Sequence, residues 1–226
     1  MLRRIIFPLL FGLAGTCVLV YLGTWQLQRL DWKETVLAEI DARIGDEPVA
    51  LPISPQEATD RFLPVVVEGR FLDGDIPVLA STREVGAMFR IIAPFETVEG
   101  RVILVDRGFV LDELKDKPRP AGEARLIGNL HWPDDKNSST PEPDLAANVW
   151  FARDISEMAN RLNAEPVLLV VRETSESGTG ITPLPVDSSG IPNDHFEYAV
   201  TWYGLALVWV FMTGFLIYRL TRKHEG

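Results

Sequence analysis

His195 stands between Asp194 and Glu197 at the head of a run, Tyr198 to Tyr218, that carries no charge. Tyr198 follows it by three residues, Trp202 by seven, Ala206 by eleven and Trp209 by fourteen, a spacing that sets all five on roughly one helical face. A neutral imidazole at the wet end of an aromatic wall suits a flat, amphipathic, iron-bearing ring such as haem. The nitrogen ligates the metal, the aromatic rings pack on the macrocycle, and its propionates stay in water. The competing reading is a belt, in which Tyr and Trp fix the depth of a helix at an apolar boundary and the histidine merely accompanies them. On residue type alone the belt is the commoner arrangement.

Trp25, Gln26 and Arg29 fall at the matching depth on the other apolar segment. Arg29 offers a planar donor fork that matches a propionate, or else it snorkels or pairs with Asp194 or Glu197. Gly12 and Thr16 lie at the spacing that lets two membrane helices approach, with Gly204 as a candidate on the partner. Other chemistry finds little support. His131 in NLHWPDD, beside Asp134 and Asp135, gives no tetrahedral metal set and reads as a solvated loop. His224 sits in a charged tail. Asp106-Arg107-Gly108 at a strand end is open to two readings, an acid site or a structural ion pair before a turn glycine. There is no G-x-S-x-G, no C-x-x-C-H, no P-loop and no G-x-G-x-x-G opening a helix, so the sequence points away from an enzyme. The one cysteine, Cys17, reads as a small hydrophobe, and with four scattered methionines copper delivery is not supported.

The elements that would position His195 follow from hydropathy. Ile5 to Leu22 is uncharged, as is Tyr198 to Tyr218, and a bilayer core of about 30 Å needs roughly 17 to 25 apolar residues in a helix. The expectation is a transmembrane helix over residues 5–25 and another over 198–218, with an extracytoplasmic domain at 26–197. The first run is longer than a signal-peptide core and ends at Leu22-Gly23-Thr24-Trp25 rather than at a small-residue cleavage site, so it reads as a retained anchor. Arg3 and Arg4 precede the first span while Arg219, Arg222 and Lys223 follow the second. Basic flanks stay in the cytoplasm, which places both termini there and the domain across the membrane, in the periplasm beyond a bacterial inner membrane or the equivalent compartment of an organelle. Of 22 basic and 32 acidic residues, 17 basic and 31 acidic lie between the flanks, a net of −14 that excludes nucleic acid as a natural partner.

Helical spacing continues from Trp25 to Ile44, where Gly45 and Pro48 stop it. Beyond Pro64, short β-rich runs alternate with turn residues: VVVEGRF, IPVLAST, AMFRIIAPFE, RVILVDRGFV and ARLIGNLHW. Residues 133–149 read as a long loop, Asp154 as the N-cap or a first-turn acid of a soluble helix, and PVLLVVRE as a last buried strand. The fold class expected is α+β: two transmembrane helices flanking one extracytoplasmic, mostly antiparallel β domain, a sheet or small barrel, with a soluble helix.

Four stretches, GTWQLQRLDWK from Gly23, VEGRF from Val67, LVDRGFV from Leu104 and NDHFEYAVTWY from Asn193, occur in an order that resembles the Surfeit locus protein family of cytochrome oxidase assembly factors. The resemblance runs nearly the full chain. It implies a non-catalytic accessory to haem-copper oxidase assembly that binds haem a and aids its insertion into cytochrome c oxidase subunit I, working with other assembly factors in the lipid bilayer. The family's second-helix histidine corresponds to His195, which moves the balance from belt toward iron ligand, and Trp202 is the next pocket candidate. Tyr198, Trp25 and Arg29 complete the expected haem site. The alternative is a membrane-anchored scaffold that stabilises an oxidase intermediate without binding haem. This sequence departs from the family at Asp194, Glu197 and Leu111, where Asn, Gln and Pro are more usual; acids beside an imidazole favour its charged form and compete with iron unless one accepts the other ring N–H.

Overall fold

The computed structural model describes residues 2–82, 85–119, 121–188 and 191–222, side chains of residues 2–4 excepted. Lys223 and His224, and the side chains of Arg3 and Arg4, therefore lie outside the described residues. The chain divides into a helical unit, residues 1–39 with 188–226, and a sheet unit, residues 40–187. The architecture is α+β, with a mixed seven-stranded sheet and two helices long and apolar enough to cross a membrane.

Helix α1 runs unbroken over Leu2–Gly45 and α4 over His195–Arg222. Pro8 is tolerated inside α1 because, in its first two turns, it forfeits little of the hydrogen-bond ladder. The residues of α4 that are not exposed between His195 and Leu220 are His195, Ala199, Trp202, Ala206, Trp209, Thr213, Ile217 and Leu220. Their intervals alternate almost strictly between four and three, the repeat by which two helices keep one seam in contact.

In the sheet unit the strands are β1 (Val49–Ala50), β2 (Pro64–Phe71), β3 (Ile76–Thr82), β4 (Gly86–Thr97), β5 (Val102–Val110), β6 (Glu123–His131) and β7 (Glu165–Thr174), with short helices α2 (Glu57–Asp60) and α3 (Ile155–Leu162). Spatial order is β1-β2-β6-β7-β5-β4-β3, and β2 also pairs with β4, so β2, β6, β7, β5 and β4 close on themselves. Most pairings are antiparallel; β1 with β2 and β5 with β7 are parallel. The connection between β6 and β7 carries α3 across one face of the sheet, against β5 and β7.

Strand parity builds two layers. Ile103 and Val105 of β5 and Val167, Leu169 and Val171 of β7 join Phe71, Phe95 and Leu126 in the ring's interior, while Leu104, Leu168 and Val170 face outward to Met158 and Ala159 of α3 and to Trp150. Both faces are covered, which is why RVILV and PVLLVV read as continuous apolar runs rather than alternating ones. Asp154 caps α3, its carboxylate accepting from Glu157 N at 3.1 Å, and Asn163 ends it in the left-handed conformation.

The ring closes where Gly69 pairs with Thr97 and Arg70 with Glu96. A Cβ at Gly69 would collide with the Glu96 backbone carbonyl, so Gly69→Val is expected to cost about 1–3 kcal/mol by overpacking or to open the closure. The denaturation midpoint, followed by the fluorescence of buried Trp150, reads this out. Gly122→Ala, at a glycine with open space around its missing Cβ, serves as the near-neutral control.

Candidate functional site

The seam between α1 and α4 is antiparallel and sutured by polar contacts. At one end the Trp209 indole N–H donates to Gly12 O at 3.0 Å, an oxygen that also accepts from Thr16 Oγ1 at 2.8 Å. Gly12 and Gly15 are glycines because a Cβ there would strike Thr213 and Trp209, and at Gly23 it would fall 2.9 Å from the Tyr203 ring. The close approach thus rests on Gly12, Gly15 and Gly23. Gly204, expected as the partner's small residue, has nothing within 4 Å of its missing Cβ and takes no part. Midway, Tyr203 Oη and Thr24 Oγ1 are 3.0 Å apart. Beyond the helix start, the Lys33 ammonium donates to the Pro192 carbonyl.

At the polar end of this seam His195 Nδ1 meets Gln26 Oε1 at 2.8 Å. An amide oxygen only accepts, so Nδ1 is the donor, and in the neutral ring Nε2 keeps an in-plane lone pair. Among the described residues Nε2 has no hydrogen-bond partner. This is the arrangement that holds a metal-ligating histidine: one ring nitrogen tethered to a carbonyl, the other presented to the metal. Gln26 is buried, one of few polar residues that are, and His195 is half-buried. The flanking acids are not the ring's partners. Asp194 lies just before α4 and accepts a backbone bond from Tyr198 N at 3.2 Å, and both Asp194 and Glu197 are exposed.

The other expected site residues divide. Trp202 lies on the seam, half-buried, one turn beyond Ala199. Tyr198 does not: it is 56% exposed, and the inward place it was expected to hold belongs to Ala199 at 1%. The physical reason is the repeat, which steps four residues from His195 rather than three. Trp25 is 42% exposed on the flank of α1. Arg29 is exposed too, and its guanidinium stacks over the Trp32 ring at 4.4 Å instead of pairing with Asp194 or Glu197. Gln26 was visible at the right depth, but nothing in its residue type marked it as the histidine's acceptor. The signal available was its heptad position, in register with Leu19, Leu22 and Lys33 along the unexposed stripe of α1.

A wholly apolar groove of about 630 Å³ runs between the two helices, bordered by Phe11, Leu19, Leu205, Trp209 and Met212 among others. It starts ten residues beyond His195, about 15 Å along α4 at the helical rise.

The remaining sequence candidates are structural. Asp106 is fully buried and satisfied by Arg90 Nε at 2.7 Å, Arg153 at 3.5 Å and Gly108 N at 3.2 Å, so it is an ion-pair centre and not an available acid. His131 ends β6 and is no solvated loop residue: its ring stacks on Phe62 at 5.6 Å and its Nδ1 is buried without a partner. Among the described residues no group of three or more His, Cys, Asp or Glu could hold a metal ion.

A model of the SURF1 family matches residues 13–207, a range that holds both Gln26 and His195. The chain belongs to the SURF1 family. It is 32% identical to Surfeit locus protein 1 of Homo sapiens over 215 residues, covering 82% of this chain and 69% of that one. To the SURF1-like protein of Rickettsia felis it is 31% identical over 213 residues, covering 89% and 92%. Surfeit locus protein 1 of Gallus gallus is 32% identical over 226 residues, covering 88% and 70%. The family match takes in the whole sheet unit and part of each long helix.

Burial, reinforced by the charges of Arg153 and Arg61, lowers the His131 pKa to about 4. The unfolded ring titrates at about 6.5. Between these values the unfolded chain binds the extra proton, so stability is lost as pH falls through that window. His131→Gln is expected to flatten the drop in the denaturation midpoint between pH 7 and pH 4.5, measured on both proteins side by side.

Proposed function

We propose that this chain is an assembly factor for cytochrome c oxidase that binds haem a through His195 and aids its insertion into subunit I. The observation that carries the reading is the Gln26 carbonyl holding His195 Nδ1–H, because it leaves Nε2 as a free donor in a fixed orientation. The donor set fits a metal already carried in a macrocycle. A bare ion needs three or four protein ligands, whereas haem iron needs one or two axial ones. Haem a is cargo here, and a single protein ligand favours release as well as capture. Trp202 adds aromatic surface on the same seam, two turns along α4 from the imidazole, and Trp25, Arg29 and Tyr198 lie exposed on the flanks where the macrocycle's edge and propionates would meet the protein. Gln26 orients; His195 binds.

The oxidase subunit and other assembly factors are the proposed partners, and the chain carries out no chemistry of its own. Its proposed place is a bacterial inner membrane, with both termini cytoplasmic and the sheet unit in the periplasm. Arg219 and Arg222 in the last turn of α4 support that orientation, and a bacterial relative supports the setting.

One observation favours the second reading, a membrane-anchored scaffold without haem: the apolar groove between the helices does not reach His195. Purification of the full chain from cells making haem a, followed by visible spectroscopy, separates the two. His195→Ala is expected to lose the haem band, and Gln26→Leu to lose roughly tenfold in haem retention, the usual size of an outer-shell loss. Unchanged haem content in His195→Ala overturns the ligand role. Oxidase assembly that persists in that variant favours the scaffold.

A further inference from the structure

A second site lies in the sheet unit, at the end of the closed ring. Arg107 continues the inward parity of Ile103 and Val105, and its guanidinium packs 4.0 Å over the Phe71 ring. The side chain is only 4% exposed, yet among the described residues it makes one hydrogen bond, Nη2 to Glu176 Oε1 at 2.6 Å, and its Nε is buried without a partner. A guanidinium has five N–H donors, and leaving one buried and unpaired is costly.

Arg107 lines a polar cavity of about 360 Å³ with Lys115, Lys117, Arg119, Asp75 and Asp116. Arg119 is 6% exposed; its Nη1 donates to Asp75 at 2.7 Å and its Nη2 to the carbonyls of Leu114 and Lys115 at 2.9 and 3.0 Å. Lys115 lies 3.6 Å from Asp116, itself 83% exposed, and Lys117 makes no ion pair among the described residues. Counting Glu176, four cations face three anions. The cavity is thus locally cationic in a unit whose surroundings are strongly acidic, and an open charge of about one is left over.

We propose that this cavity binds a compact oxyanion of about one negative charge, a carboxylate or a phosphate, through Arg107, Arg119 and Lys117. Arginine forks match such groups geometrically, and two of them, Arg107 and Arg119, line this cavity with their side chains already fixed by partners. Burial also lowers the Arg107 pKa, with the nearby Arg119 charge contributing, a mutual repulsion that an intervening anion relieves. Glu176 occupies one arm of Arg107 and leaves the rest for the incoming group.

The test is calorimetric titration of the full chain in neutral detergent with inorganic phosphate and, separately, with acetate. Saturable binding of either anion is expected, and the one that binds tells the two sources apart. Lys117→Gln, at an exposed position, should weaken that binding several-fold without unfolding the protein. Arg119→Gln should weaken it tenfold or more. Failure of both anions to saturate by 10 mM, on the order of a weak single-site interaction, overturns the proposal. So does binding that both variants leave unchanged. The haem measurements on His195→Ala do not enter either outcome.

Discussion

The apolar flanks of α1 and α4 offer few hydrogen-bond partners, so the polar groups along their seam are answered from within the chain. This one requirement arranges the helical unit. The indole of Trp209 reaches a carbonyl only because Gly12 leaves it uncovered, and Tyr203 reaches Thr24 only because Gly23 lets the ring lie close. Small residues set the separation, the four-and-three repeat sets the register, and together they bring Gln26 opposite His195. Which ring nitrogen meets the amide is therefore a result of helix packing many residues away.

Much of this was legible beforehand and the exceptions share a cause. The two helices, the strand runs from Val65 onward, the cap at Asp154 and the stop after Ile44 follow from hydropathy, period and turn chemistry, which are local. What local pattern could not show was pairing. The β5–β7 parallel contact, the closure of β2 on β4, the two-residue strand Val49–Ala50 and the bond between residues 26 and 195 all join parts of the chain that are distant in sequence. Tyr198 illustrates the finer error. Steps of three and of four both keep a residue near one helical face, and only the partner helix decides that Ala199 goes inward.

Asp106 and Arg107 show the same logic in a strand. Adjacent residues point to opposite faces, so an acid and a base that look like a pair in sequence never meet. Asp106 turns toward Arg90 and Arg153, which neutralise it completely. Arg107 turns into the ring's mouth, where Phe71 and Glu176 hold it. Gly108 follows with φ of +117°, and a side chain there would strike the Thr182 carbonyl, so the strand can pass close beneath the segment returning toward α4. One tripeptide thus supplies an internal counter-charge, a cationic opening and a backbone crossing.

Ring closure also governs how another protein can attach. Strand β2 has β6 on one side and both β1 and β4 on the other, and β3 exchanges backbone bonds with Trp150. Little unpaired ladder is left, so a visiting chain has almost no template on which to extend the sheet. Recognition of this unit must be written in side-chain shape and charge. The same lack of a sticky border leaves two copies of this unit little backbone through which to fuse.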